Sequence, residues 1–326
     1  MRKERSIASV PDFVDFNKRR YDIGAWIAYG PFLERTGMSG MSVPRELSNI
    51  KQHFYINFEK GELTISGTTT PKDGLFNKYP IFKKDFDRSL LSAFPDKSYA
   101  TVKMSLNIPA FFDMIEDMAR QMGESSPFRY MDRSVRTIID GLEGEVLFSM
   151  YDFARGSLPL PLAGVVFSVN NRGVFDRIID ILQDEMGRGA VRDRGDYHEV
   201  SLVGVGTLYL AHKDNKIYIT VDSEAINNFT GRGYRNSLSG SQIAKSPVYM
   251  YLNLDVDSYP DNVHSFLRRE LGREIADVLD MMKPLKDLTV YSDSSNDYVY
   301  SLNFKSKENS LKQILMLIDD AIGRNW

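Results

Sequence analysis

The sequence predicts an α+β fold with antiparallel sheets, and three observations carry it. Stretches of strict polar/apolar alternation are interleaved with stretches of helical apolar spacing. Several of the alternating stretches are joined by short Gly- or Asn-containing links of the hairpin kind. The succession strand, helix, strand, strand, helix occurs twice.

The elements follow in order. Asp22 to Arg35 reads as a short helix or extended piece around Trp26, Ile27 and Phe32. His53–Phe58 and Glu62–Gly67 alternate, and Glu59-Lys60-Gly61 between them predicts a hairpin. Phe82, Phe86, Leu90 and Leu91 have helical spacing that ends before Pro95. Tyr99–Asn107 alternates as a strand. Asn107 then serves as an N-cap, Pro109 falls in the first helical turn, and Gly123 stops the helix. Its stripe of Phe111, Phe112, Ile115 and Met118 is expected to be buried. A helix over 128–142 and strands over 145–152 and 163–169 come next. Asn171 caps a helix that buries Phe175, Ile178 and Leu182. Tyr197–Val203, Thr207–His212 and Lys216–Asp222 form a meander, turned by Lys213-Asp214-Asn215. The Gly- and Ser-rich stretch from Thr230 to Ser246 reads as a linker.

After that linker the pattern from Lys97 returns. Lys97–Gly123 and Lys245–Gly272 share a Lys-Ser start, an alternating strand, an early Pro and a closing Gly. Blocks 138–152 and 281–293, then 161–187 and 297–323, follow in the same order. The order is that of the ferredoxin-like βαββαβ plan, which sets helices on one face of an antiparallel sheet. The expectation is therefore tandem duplicated ferredoxin-like βαββα units. An N-terminal α+β segment spans 1–95, a first unit with the meander as an extension spans 96–240, and a second unit spans 241–326.

Composition narrows the function classes. The 326 residues are 42% apolar and 26% charged, as in a globular protein, with a net charge of −3. A basic electrostatic footprint for nucleic acid is missing, so none is expected as a partner. The sequence has no cysteine, which excludes disulfides, thiolate nucleophiles and Cys-ligated metals. No apolar segment follows the basic start MRKER, so no signal peptide is expected. The longest apolar run, Leu158 to Phe167, is broken by Pro159 and Pro161 and falls short of the ~20 residues of a membrane helix.

Three short motifs carry a family resemblance: Asp22-Ile23-Gly24-Ala25-Trp26, Phe58-Glu59-Lys60-Gly61-Glu62-Leu63, and Leu142-Glu143-Gly144-Glu145-Val146. They are similar to the D-I-x-x-W segment, the F-E-x-G-x-I hairpin and the L-x-G-D/E-V strand entry of domain-of-unknown-function family 4836. That is an envelope-lipoprotein family of Gram-negative gut anaerobes, and the chain resembles its C-terminal two thirds. The resemblance implies a lipid-anchored protein facing the periplasm or the cell exterior. The family pattern opens with a lipobox cysteine and an extra N-terminal region that this sequence does not carry. A membrane association is therefore expected only through an anchor outside it.

Candidate chemistry is sparse. His198 and His212 lie on neighbouring expected strands near Asp196 and Glu199. They read either as an acid–base pair or as ordinary cross-strand polar residues. Asp255-Val256-Asp257, with Asp261 beyond, reads either as a divalent-cation motif or as a helix start that places acids at the N-terminal dipole. Asp293-Ser294-Ser295-Asn296-Asp297 has a calcium-loop composition without the Gly and distal Glu, which suits a polar turn. Gly204-Val205-Gly206 and Gly231-Arg232-Gly233 match no nucleotide-binding pattern. The basic groups Lys18-Arg19-Arg20 and Arg232, Arg235 and Lys245 read as solvated loops. Tyr79, Phe82, Phe86, Tyr130, Phe153, Tyr234 and Tyr259 lie in or near loops, where they serve either core packing or contact with protein or carbohydrate.

Together with the envelope location that the resemblance implies, these features lead to the expectation of a non-catalytic domain that binds a protein, peptide or glycan, with no cofactor or metal. The alternative is a hydrolase or metal-dependent enzyme using the acids near Asp255 or the His198 and His212 strands.

Overall fold

The computed structural model describes residues 10–30, 49–70, 75–83, 85–123, 125–126, 128–129, 131–202, 204, 206–235, 238, 241–292 and 296–324. The end of the first expected segment (31–35), Tyr130, Val205 and residues 293–295 of the acidic turn lie outside them, as does part of the expected linker.

The chain begins with α1 (Pro11–Lys18), β1 (Ile23–Ala28), β2 (Lys51–Glu59), β3 (Glu62–Thr70), β4 (Ala100–Ser105), α2 (Ile108–Gln121) and α3 (Arg133–Gly141). It continues with β5 (Leu142–Phe153), β6 (Pro161–Val169), α4 (Gly173–Met186), β7 (Val191–Asp193), β8 (His198–Leu202), β9 (Gly206–Lys213), β10 (Lys216–Thr220) and α5 (Ser223–Thr230). Then come β11 (Val248–Asn253), α6 (Asp261–Met282), β12 (Leu285–Ser292), β13 (Asp297–Phe304) and α7 (Ser310–Arg324). No helix among the described residues is long and apolar enough to cross a membrane.

The 13 strands belong to one antiparallel sheet, in the order β1-β2-β3-β13-β12-β11-β4-β5-β6-β10-β9-β8-β7. This overturns the expectation of tandem ferredoxin-like units. A split βαβ unit keeps its first two strands apart. Here β4 and β5, the first two strands of the expected first unit, are direct antiparallel neighbours, with Val102 opposite Phe148. The first strand of the expected second unit, β11, pairs with β4, from Val248 opposite Met104 to Leu252 opposite Ala100. Its later strands, β12 and β13, pair with each other, and β13 pairs with β3. The chain divides into two compact units: Met1–Ile81, Pro109–Arg129 and Pro284–Trp326 in the first, Phe82–Ile108 and Tyr130–Lys283 in the second.

In the first unit the expected hairpin forms, with a shorter link than the three residues Glu59-Lys60-Gly61. Glu59 faces Glu62, leaving Lys60-Gly61 as a two-residue turn. The α1 side chain of Phe16 is buried and stacks on Tyr21 and Tyr55, each 5.2 Å away, while Phe13 meets the Trp26 ring edge-on. Helix α7 lies on β2 and β3. Helix α2 begins directly after Asn107 with Pro109 in its first turn. Its apolar stripe is less covered than its periodicity suggests: Phe111, Phe112, Ile115 and Met118 are half-buried, and Ala119 is the buried residue.

In the second unit alternation sends successive side chains to opposite faces, and both faces are covered. One core gathers Leu147, Tyr151, Val166, Ala211 and Tyr218 under α5 residues Ala225, Ile226 and Phe229. Leu90, Leu91, Ala93 and Phe94 complete it from a 3₁₀ turn over Arg88–Ala93, where the sequence suggested an α-helix. The other core gathers Val169, Val200, Leu210 and Ile217 under Val174, Phe175 and Ile179 of α4. Helices on both faces replace the single helical layer expected. Gly144 is required at the entry to β5: its φ is +86°, and a Cβ there would sit 1.9 Å from the Leu106 carbonyl oxygen. The meander turn Asp214-Asn215 has both residues at positive φ, +50° and +57°, as a type I′ hairpin demands.

Candidate functional site

The second unit holds a cavity of about 320 Å³ lined by Pro95, Lys97, Tyr151, Asp152, Leu162, Asp222, Glu224 and Tyr234. Tyr151 and Asp152 come from the end of β5, and Asp222 and Glu224 from the start of α5. Asp222 is the N-cap of α5: its carboxylate accepts the Glu224 N–H at 2.9 Å and the Tyr151 hydroxyl at 3.1 Å. The cap serves both the helix and the cavity wall.

Tyr234 is delivered by the Gly231-Arg232-Gly233 loop. Gly233 has φ +71°, its N–H reaches the Asn228 carbonyl at 2.7 Å, and a Cβ there would press on the Ser92 carbonyl at 3.2 Å. The Tyr234 N–H then bonds to that Ser92 carbonyl at 2.8 Å. The glycine cluster that matched no nucleotide motif is therefore a device for placing a tyrosine.

Electrostatically the cavity is one-sided. Asp152, Asp222 and Glu224 have no ion-pair partner among the described residues. Lys97 directs its ammonium over the Tyr99 ring, 5.1 Å from the centroid. Burial holds the Tyr151 phenol well above its ordinary range, with Tyr218 adding to the effect. Burial also raises the Tyr234 phenol against a hydrogen bond with Asn228, and the charges of Asp222 and Glu224 push the same way as burial. Both hydroxyls therefore stay protonated as donors. Beside them the Tyr218 hydroxyl is fully buried, near the hydroxyls of Thr220 and Tyr151 but without a hydrogen bond of good geometry.

The residues singled out in the sequence are placed as follows. His198 stands opposite Leu210, so His212 is its diagonal neighbour on the same face. Both rings pack against Phe175, 5.5 and 5.9 Å away. Burial, then the charge of Arg172, holds His212 below the ordinary imidazole value. Glu199 is taken up by Arg194 at 2.7 Å. Asp255 accepts the Asp257 N–H at 3.1 Å and so caps a 3₁₀ turn over Val256–Ser258. Asp257 lines a second cleft of about 440 Å³ in the same unit, with Asp261, His264, Arg268, Asp280 and Lys283. Charges of both signs meet there, and Asp280 pairs with Lys283 at 2.7 Å. Asp297 accepts the Thr68 hydroxyl at 2.8 Å. Among the described residues no three His, Asp or Glu side chains are grouped to hold a metal ion.

Of the loop aromatics, Tyr79 is buried and bonds to Asp117, and Phe153 and Tyr259 pack on Tyr99 at 5.1 and 4.7 Å. Among the described loop aromatics only Tyr234 lines the cavity. Sequence reasoning missed Lys103, which is 1% exposed. It donates to the Ile243 and Ser246 carbonyls at 2.8 and 2.5 Å and lies 3.8 Å from the Phe86 ring centroid. The available signal was its phase: it shares one side of β4 with Tyr99, Thr101 and Ser105, all of them buried.

The fold and the cavity define an α+β protein with a tyrosine- and carboxylate-lined pocket on an antiparallel-sheet unit. Comparison with known proteins gives the family: the model described as Domain of unknown function (DUF4836) matches residues 1–311, and the chain belongs to that family. No curated protein matches. The crystal form III structure of TP0453 aligns over 72% of this chain and 86% of that one, with 12% identity and a TM-score of 0.35, too low to carry an argument.

Proposed function

We propose that this chain is a non-catalytic binding domain of the Gram-negative cell envelope, held at the membrane by a lipid anchor. Its ligand on this reading is a basic peptide segment that places a Lys or Arg side chain in the Tyr151–Asp222–Tyr234 cavity. The observation that carries the reading is the cavity's charge. Three carboxylates stand without an ion-pair partner among the described residues, while the one lysine in the lining turns to a different ring. A cationic side chain would compensate the carboxylates beside the two tyrosines that line the cavity.

The test is fluorescence anisotropy with labelled Lys- and Arg-containing hexapeptides, beside acidic and uncharged hexapeptides and neutral oligosaccharides. Basic peptides should bind, and binding should weaken as salt rises. Glu224→Gln and Asp152→Asn should each cost up to about fivefold in affinity, the upper range for an exposed charge pair. Equal binding of uncharged probes, or indifference to both substitutions, would refute the proposal.

A further inference from the structure

Helix α7 has a covered side and an uncovered apolar side. Ser310, Gln313, Ile314 and Leu317 are buried or half-buried on the side that lies on β2 and β3. Leu311, Leu315, Ile318 and Ile322 are 41, 56, 49 and 56% exposed, and Met316 beside them is 57% exposed. The spacing of four, three and four residues sets the first four on one line along the helix. Scattered exposed leucines are ordinary, whereas a row over three turns marks an interface.

We propose that this stripe pairs with the same stripe of a second copy, with the two helices antiparallel about a two-fold axis. The occupant follows from the charges on one edge of the stripe. Lys312, Met316 and Asp319 are four and three residues apart and share that edge, and Lys312, Leu315, Met316 and Asp319 line one shallow surface hollow. In a two-fold pair each residue meets its counterpart reciprocally. Antiparallel edges therefore bring Lys312 of each copy beside Asp319 of the other, with Leu315 and Met316 between. A parallel two-fold pairing would put the two charged edges on opposite sides of the seam and leave Lys312 and Asp319 without each other. Inside the chain, Lys312 reaches Glu308 at 3.0 Å, and Asp319 has no ion-pair partner among the described residues. Five half-exposed side chains per copy make a small interface, below about 1,200 Å² in total, which is the class of weak association.

Sedimentation velocity of the full chain from about 5 to 500 μM tests this, since a weak interface dissociates in the micromolar range. The dimer fraction should rise with concentration and vanish in Leu315→Asp and in Ile318→Ser, with circular dichroism and Tm unchanged because both positions face solvent. Lys312→Glu and Asp319→Lys should each weaken the dimer about fivefold. The double variant Lys312→Glu/Asp319→Lys should restore it, because the reciprocal pairs re-form with their signs exchanged. A monomer throughout the range, a dimer indifferent to Leu315→Asp, or a double variant no better than its singles would overturn the proposal. Binding to phosphatidylglycerol vesicles through this stripe without dimerisation would overturn it in favour of a membrane.

Discussion

Lys103 offers a prediction whose sign and size follow from its surroundings. Its ammonium is buried against the Phe86 ring and two carbonyls, and desolvation lowers its pKa from 10.5 to about 8, with nearby Glu145 opposing the shift. The folded value lies below the unfolded one. Below pH 8 both states keep the proton, and the desolvation cost is full and constant at about 3 kcal/mol. Between pH 8 and 10.5 the unfolded chain holds more protons than the folded one, so stability rises with pH. Lys103→Met removes this dependence and leaves the other groups in place, the raised tyrosines included. The stability of the natural chain, measured against Lys103→Met, should therefore improve by about 2 kcal/mol from pH 7.5 to 9.5. Urea denaturation of both chains at fixed ionic strength supplies the two curves. Curves that run parallel over this range would show that Lys103 does not titrate as a desolvated lysine, and the reasoning would fail.

Two further outcomes can be checked on the same material. Ile226 is fully buried in the core beneath α5, so Ile226→Ala should cost about 2–5 kcal/mol in urea denaturation. Burial also holds His53 and His212 below the ordinary imidazole value. Their contribution to stability is full above pH 6.5 and is lost as pH falls through the folded values. His212→Phe should make the decline in Tm between pH 6.5 and 5 shallower than in the natural chain.

Local elements were legible where the code is local. The Lys60-Gly61 and Asp214-Asn215 turns, the Pro109 helix start and the alternation of β4 can all be read from a few residues each. Partner choice could not be read that way. Nothing in Val248–Asn253 states that it will pair with Ala100–Ser105 rather than open a separate unit, because pairing depends on which faces become buried in the assembled sheet. The same limit hid which side of β4 is inside. The side with Thr101, Lys103 and Ser105 is buried, while Met104 on the other is 39% exposed. Helical periodicity likewise marked Phe112 without saying how far it would be covered. The cavity escaped because Lys97, Asp152, Asp222 and Tyr234 are far apart in the sequence, and each had an ordinary local reading. Tyr234 was noticed as a loop aromatic, but its glycine-built setting takes shape only in three dimensions.

The most direct test of the binding account is a crystal structure of the chain with a bound basic hexapeptide that passes the anisotropy screen. The account predicts a Lys or Arg side chain in the cavity lined by Tyr151 and Tyr234, its cationic head against Asp222 and Glu224. A peptide seated in the His264–Arg268 cleft, with the Tyr151 cavity left as it is in the free chain, would contradict it.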